Sequence, residues 1–362
     1  MRVALVGAFP FPYPQGSQVY VAEQARALAG AGAETQLVTY PAGRFQLRGR
    51  SGPSLAKPFA DGALIAHYVA EHRRHRFDAA LAHNAEAAVA AIVARPATRV
   101  PVIYVAHTLL AHELSAYASD AWRTWLDPLG AAVDRWIARR ADAIVALSED
   151  ARGMLAPWAR GPIEVIPPGL DPGPAPDADA RIAACRDAGV EPQRFAMYAG
   201  NLDDYQDLDV LDAAAALLRD DPPILVVTHD ARDGAQRYRH LRVVERERFE
   251  DVRALSFSAG ALVLTRHRPG GFPIKLLNYM ETGRPIVARR RIAPGLENGV
   301  TAVLLPESAG ATDFERAIRR LRDEPTRATA LGTAAREHLL ARHAWRDLAA
   351  RTLDLVGRVS GR

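Results

Sequence analysis

Short apolar runs alternate along the chain with longer stretches whose apolar residues recur at three- and four-residue spacing, the periods of buried strands and amphipathic helices. Arg2–Gly7 is the first run and ends in glycine. Gln18–Gly30 follows as a helix. Thr35–Thr39, Asp78–Ala82, Val100–Ala106, Ala141–Leu147 and Glu164–Ile166 read as further strands, and the helix before Ala141 starts near Ser119. Strand and helix patterns alternating in this way favour a parallel sheet covered on both faces.

Pro167–Pro176 breaks the pattern with five prolines and two glycines in ten residues, the composition of a linker. A second alternating series has strands at Phe195–Tyr198, Ile224–Thr228, Ala261–Leu264, Pro285–Val287 and Ala302–Leu305. The end of the chain reads as helical and Arg-rich. The expected architecture is α/β, with two doubly wound Rossmann-like domains facing a cleft. The first spans residues 1–168 and the second 169–344; a C-terminal helix, 345–362, is expected to cross back to the first domain. Ligands of open α/β sheets bind beyond the carboxyl ends of the strands, so the cleft is the expected site.

Composition narrows the class. Of 362 residues, 49% are hydrophobic and 24% charged, which excludes disorder, collagen and coiled coil as descriptions of the whole chain. A single cysteine excludes a disulfide framework and a cysteine-only metal cluster. The opening Met-Arg-Val-Ala-Leu-Val-Gly is too short for a signal peptide, and no run of about 18 uncharged apolar residues occurs. A cytoplasmic protein is the expectation. The net charge of +4 is carried by arginine, because only Lys57 and Lys275 are lysines. No basic stripe with interleaved aromatics is present, so no nucleic-acid partner is expected. Gly43–Arg76 is arginine-rich. It reads as a solvated surface segment, or else as an acceptor loop or a patch that touches an anionic membrane at the inner face.

Four places carry candidate chemistry. Tyr13-Pro14-Gln15-Gly16-Ser17 precedes or opens the first helix, where free backbone amides attract anions and Ser17 is placed to cap. His83 and His107 end adjacent strands; Asn84 follows the first. Each histidine is suited to a phosphate or a sugar hydroxyl. They lack the spacing of a zinc pair, and no carboxylate cluster accompanies them, so no metal is expected. Tyr198-Ala199-Gly200-Asn201 closes the first strand of the second domain, with Gln206 a few residues on. The fourth place is Arg266 to Ala288: a Gly270-Gly271 loop, then Phe272, a helix from about Pro273, a glycine stop at Gly283 and a strand. Lys275 stands in the first turn of that helix, where the dipole disfavours a cation unless an anion is near.

These residues resemble the GT-B glycosyltransferases, in particular the retaining family four type, the glycosyl transferases of group 1. The N-terminal loop at Gly16-Ser17, His107, the crossover Val165 to Asp171 and the segments Phe272 to Ala288 and Pro294 to Pro306 carry the resemblance. The family pattern has two glutamates where this chain has Gly270 and Asn278. It has an arginine and a lysine for the donor diphosphate where this chain has Asn201 and Gln206.

The resemblance implies transfer of a sugar from a nucleoside diphosphate sugar, with retention of configuration and without metal or cofactor. The acceptor would be a glycan, a lipid-linked glycan or a small molecule. His107 and Lys275 are the expected catalytic residues. Gly16, Ser17, Gly200, Asn201, Gln206, Arg266, Gly270, Gly271, Phe272, Pro273, Ile274 and Asn278 are the expected donor contacts, and Tyr13, Gln15, His83 and Asn84 the acceptor contacts. Two other readings keep the fold. One is a non-catalytic scaffold. The other is a transferase or phosphorylase using a sugar phosphate, whose smaller anion needs fewer cations.

Overall fold

The computed structural model describes residues 1–12, 16–41, 57–112, 120–231, 237–267 and 271–361. Tyr13, Gln15 and Gly270 lie outside the described residues, as do residues 42–56 of the arginine-rich segment. The chain forms two units. One comprises Met1–Gly169, Gly270–Phe272 and His343–Arg362; the other comprises Leu170–Pro269 and Pro273–Arg342.

The first unit holds β1 (Arg2–Gly7), α1 (Gly16–Gly30), β2 (Glu34–Val38), α2 (Lys57–His75), β3 (Ala79–His83), α3 (Asn84–Thr98), β4 (Val102–Ala106), α4 (Asp120–Ala138), β5 (Ala143–Ala146), α5 (Glu149–Leu155) and β6 (Ile163–Val165). They build one parallel sheet in the order β2-β1-β3-β4-β5-β6. β3, β4 and β5 are buried along their whole length, which is why they read as continuous apolar runs. The last helix, α12 (Trp345–Ser360), packs on α1 of this unit. It is tied down by Arg351, which donates to the Val165 carbonyl at 2.6 Å, and by an Arg358–Glu164 pair.

The second unit holds α6 (Ala178–Asp187), β7 (Ala196–Ala199), α7 (Leu208–Leu218), β8 (Ile224–Thr228), β9 (Arg242–Glu245), α8 (Phe249–Ser258), β10 (Ala261–Leu264), α9 (Ile274–Glu281), β11 (Ile286–Arg289), β12 (Val303–Leu305), α10 (Ala311–Asp323) and α11 (Pro325–Arg342). Its sheet is also parallel, in the order β12-β11-β10-β7-β8-β9. Tyr198, Leu211, Val263 and Phe314 lie in its core. Apolar periodicity misses β9, because this edge strand has only two apolar residues between charged ends and none of them is fully buried. The part of the arginine-rich segment from Lys57 to His75 is helix α2, and Lys57 pairs with Glu86 at 3.1 Å. Among the described residues no helix is long and apolar enough to cross a membrane.

Candidate functional site

In the second unit, β7 ends at Ala199 and the chain turns through Gly200, at φ 150°. A short 3-10 turn, Asp204–Gln206, then leads into α7. Lys275, in the first turn of α9, reaches into this loop. Its Nζ donates to the Tyr198 hydroxyl at 2.8 Å and to Gln206 Oε1 at 3.4 Å, and it lies 4.3 Å from the centre of the Tyr198 ring. Gly200 makes this approach feasible: a Cβ there would stand 2.4 Å from Nζ and 2.9 Å from the Tyr198 oxygen.

The neutral groups around the lysine are themselves held. Gln206 is buried and donates to Asn201 Oδ1 at 2.8 Å. Its carbonyl accepts from Thr265 at 2.6 Å. Arg289, buried, pairs with Asp207 at 2.6 Å and donates to the carbonyls of Thr265 and Ala309, which fixes the end of the turn. The Tyr279 hydroxyl, four residues after Lys275 on the same face of α9, accepts from the Ala199 amide at 2.8 Å. Arg266 stacks over the Tyr205 ring. Burial of the ammonium, and after it the Arg266 charge, lower its pKa to about 7 against the opposing pull of Asp203. The loop is therefore a seat for one cation, lined by hydroxyl and amide oxygens and set to gain from an anion.

The first unit carries a second centre. His83 closes β3 and stands at the N-cap of α3, but its side chain bonds no helix amide. The register sets it opposite Val105, and His107 follows two residues later on the same face of the sheet. The two rings meet, His83 Nδ1 to His107 Nε2, at 2.9 Å. Tyr20 of α1 stands edge-on to His107 with centroids 4.7 Å apart, and Trp345 of α12 packs against Tyr20 at 5.4 Å. Burial lowers His107 to about 4. Burial and then the neighbouring His107 hold His83 well below its ordinary value. Both rings are neutral at pH 7. Gly271 (φ +75°) lies so close to this centre that a Cβ would be 1.9 Å from the His107 carbonyl oxygen. The Phe272 ring packs on His343, whose Nδ1 bonds the Pro168 carbonyl at 2.7 Å.

The structure thus gathers Gly200, Asn201, Gln206, Arg266 and Lys275 in one unit, and His83, His107, Gly271 and Phe272 in the other. Lys275 does not extend to solvent. Asn278 is half-buried one turn further along α9, after Pro273 at its N-cap and Ile274 at its first position. His83 was expected to touch an acceptor; it is fully buried, and its polar contact is with His107. Phe272 is likewise buried, against His343. Asn84 opens α3 with φ 74°, and Gly16 opens α1, exposed. The side chain of Ser17 is outside the described part. Sequence reasoning gave no role to Tyr20, Trp345, Tyr279 and Arg289, and named Tyr198 only as part of its strand end; the Lys275/Tyr279 spacing alone announced one of them. Among the described residues no group of three or more His, Cys, Asp or Glu is arranged to hold a metal ion.

Two parallel six-stranded sheets in this order, each with a polar centre at the carboxyl ends of its strands, are the architecture of the GT-B fold. Residues 14–173 match the model described as Glycosyltransferase Family 4, and residues 193–324 match Glycosyl transferases group 1. The chain belongs to this family of sugar transferases. A D-inositol 3-phosphate glycosyltransferase of Pseudarthrobacter chlorophenolicus is 25% identical over 92% of this chain and 90% of its own length. Sucrose-phosphate synthase from Thermosynechococcus elongatus superposes with a TM-score of 0.80 at 21% identity, over 99% of this chain and 98% of its own. HepE of Anabaena, solved with UDP and glucose, gives 0.75 at 15% identity over 99% and 100%.

Proposed function

We propose that this transferase takes its sugar from a nucleoside diphosphate donor and passes it, with retention and without a metal ion, to a hydroxyl of a glycan, lipid-linked glycan or small-molecule acceptor. The carrying observation is Lys275. A partly buried cation at a helix N-terminus, seated on a tyrosine hydroxyl and a glutamine oxygen, is unfavourable until an anion joins it. A diphosphate is the anion a sugar transferase brings, and the free amides of the first turn of α9 are disposed to share it.

The pocket differs from the family pattern in a coherent way. Asn201 and Gln206 stand where an arginine and a lysine are usual, and here they form the neutral cradle that holds Lys275. Asn278, in place of a glutamate, can still donate to and accept from a ribose hydroxyl. In the transfer, the bond from the anomeric carbon to the diphosphate breaks and its electrons go to the phosphate oxygen. Lys275 stabilises that charge. The acceptor oxygen bonds the anomeric carbon on the same face, and the leaving phosphate takes its proton. His107 positions a sugar hydroxyl or a phosphate oxygen. The HepE structures, which carry UDP, UDP-glucose or UDP with glucose, make uridine the first base to test.

Titration calorimetry with UDP, GDP, ADP, TDP, their sugar conjugates and simple sugar phosphates tests this reading. One nucleoside diphosphate should bind in the micromolar range. Lys275→Met should weaken it about 10- to 100-fold, the worth of one charge-assisted hydrogen bond. Binding of sugar phosphates alone would replace this reading with a sugar-phosphate donor.

A further inference from the structure

The histidine pair holds more information than its position. Two neutral imidazoles joined by one hydrogen bond admit two arrangements. In the first, His107 carries its proton on Nε2 and donates to His83 Nδ1. Neutral His83 must then carry its own proton on Nε2. That atom is buried and has no partner among the described residues, so the first arrangement entombs an orphan N–H. In the second, His83 donates from Nδ1 to Nε2 of His107, and the buried Nε2 of His83 is a bare lone pair. Orphaned buried N–H groups are rarer than under-satisfied acceptors, and the second arrangement is the better one.

The consequence falls on His107. With Nε2 accepting, its proton sits on Nδ1. His107 is 8% exposed, and the buried atoms without a partner include no nitrogen of His107. Nδ1 is therefore the nitrogen left for a ligand. In the first arrangement it would offer a lone pair, which repels phosphate oxygens; in the second it offers an N–H. Edge-on contact with Tyr20 holds the ring in place.

We infer that His83 is a positioning residue: by donating from Nδ1 it locks His107 as the Nδ1–H tautomer and so turns the exposed edge of His107 into a hydrogen-bond donor for the sugar-donor substrate. This rests on the reading of His107 as a contact to that substrate. The isolated side chain of histidine favours Nε2–H, so the lock is a property of the fold.

Long-range proton–nitrogen correlation NMR on protein labelled with 15N-histidine distinguishes the tautomers directly. The wild-type protein should show His107 as Nδ1–H, assigned by its loss in His107→Asn. His83→Asn, whose side-chain amide can place an N–H near the same point, should retain that form. His83→Asp, whose carboxylate can only accept, should convert His107 to Nε2–H and raise KM for the sugar donor about tenfold, the worth of one hydrogen bond, with a smaller change in kcat. An Nε2–H signal for His107 in the wild-type protein overturns the inference whatever the kinetics. A locked Nδ1–H with donor affinity unmoved in His107→Ala, which offers no N–H at that point, would instead refute the placing of substrate at His107.

Discussion

Lys275 makes its chemistry depend on pH in a direction that can be worked out. Its ordinary pKa of 10.5 falls to about 7 in the folded chain. Between those values the unfolded chain holds a proton that the folded chain has shed. Stability from this group therefore rises with pH over 7 to 10.5, and the full penalty is present below 7. Lys275→Met should be the more stable protein at pH 6.5, with an advantage of about 1–2 kcal/mol after allowance for partial exposure, narrowing by pH 9. Urea unfolding at the two values measures it. Donor binding runs the other way. A diphosphate favours the protonated ammonium, so binding near pH 8.5 should take up close to one proton and its Kd should climb about tenfold per pH unit above 7. Calorimetry in buffers of different ionisation enthalpy reads that uptake. A Kd for UDP flat from pH 6.5 to 9 would remove Lys275 from the diphosphate.

At the scale of elements, two glycines with left-handed φ mark the close approaches, and they should fail differently. At Gly200 the atom in the way is the end of a lysine side chain, which can move. Gly200→Ala should cost about 1 kcal/mol of stability from the strained φ, yet drive Lys275 off its seat and lose donor affinity. At Gly271 the obstacle is the His107 backbone carbonyl, which cannot move alone. Gly271→Ala should cost several times more and displace the loop itself. Melting temperatures set beside UDP affinities separate the two; equal losses of stability would contradict the distinction. The alternating strands and helices were legible because fully buried parallel strands are written as unbroken apolar runs, as in Val102–Ala106. Lys275 was legible for a simple reason: a lysine is conspicuous in a chain with two. Its seat was not. Tyr198 and Tyr279 lie in segments the sequence singles out, but only the folded backbone turns their hydroxyls toward Nζ and the Ala199 amide. The direct bond between His83 and His107 was hidden too, since it depends on strand register rather than on spacing along the chain.

At the scale of the whole chain, the last helix completes the first unit, although it follows every residue of the second in sequence. α12 buries Trp345, Leu348, Leu355 and Val356 there. Each is worth about 1.5–3 kcal/mol on burial, so together they rival the 5–15 kcal/mol that keeps a domain folded. The fit is close as well: a Cβ on Gly169 would stand 2.4 Å from the Trp345 indole, and that indole backs the Tyr20 ring that borders His107. Removing residues 343–362 should therefore strip amide protection from α1 and β1–β3 while leaving β7, β8 and β10 protected. Trp345→Ala is the milder form, expected to cost about 3–5 kcal/mol and to lower only the melting step of the first unit. Hydrogen exchange resolved by segment decides between this and a helix that merely ornaments the surface. Unchanged protection in α1 after truncation would show that the first unit holds together without its distant final helix, and the stacking of Trp345 behind Tyr20 and His107 would then carry none of the stability assigned to it here.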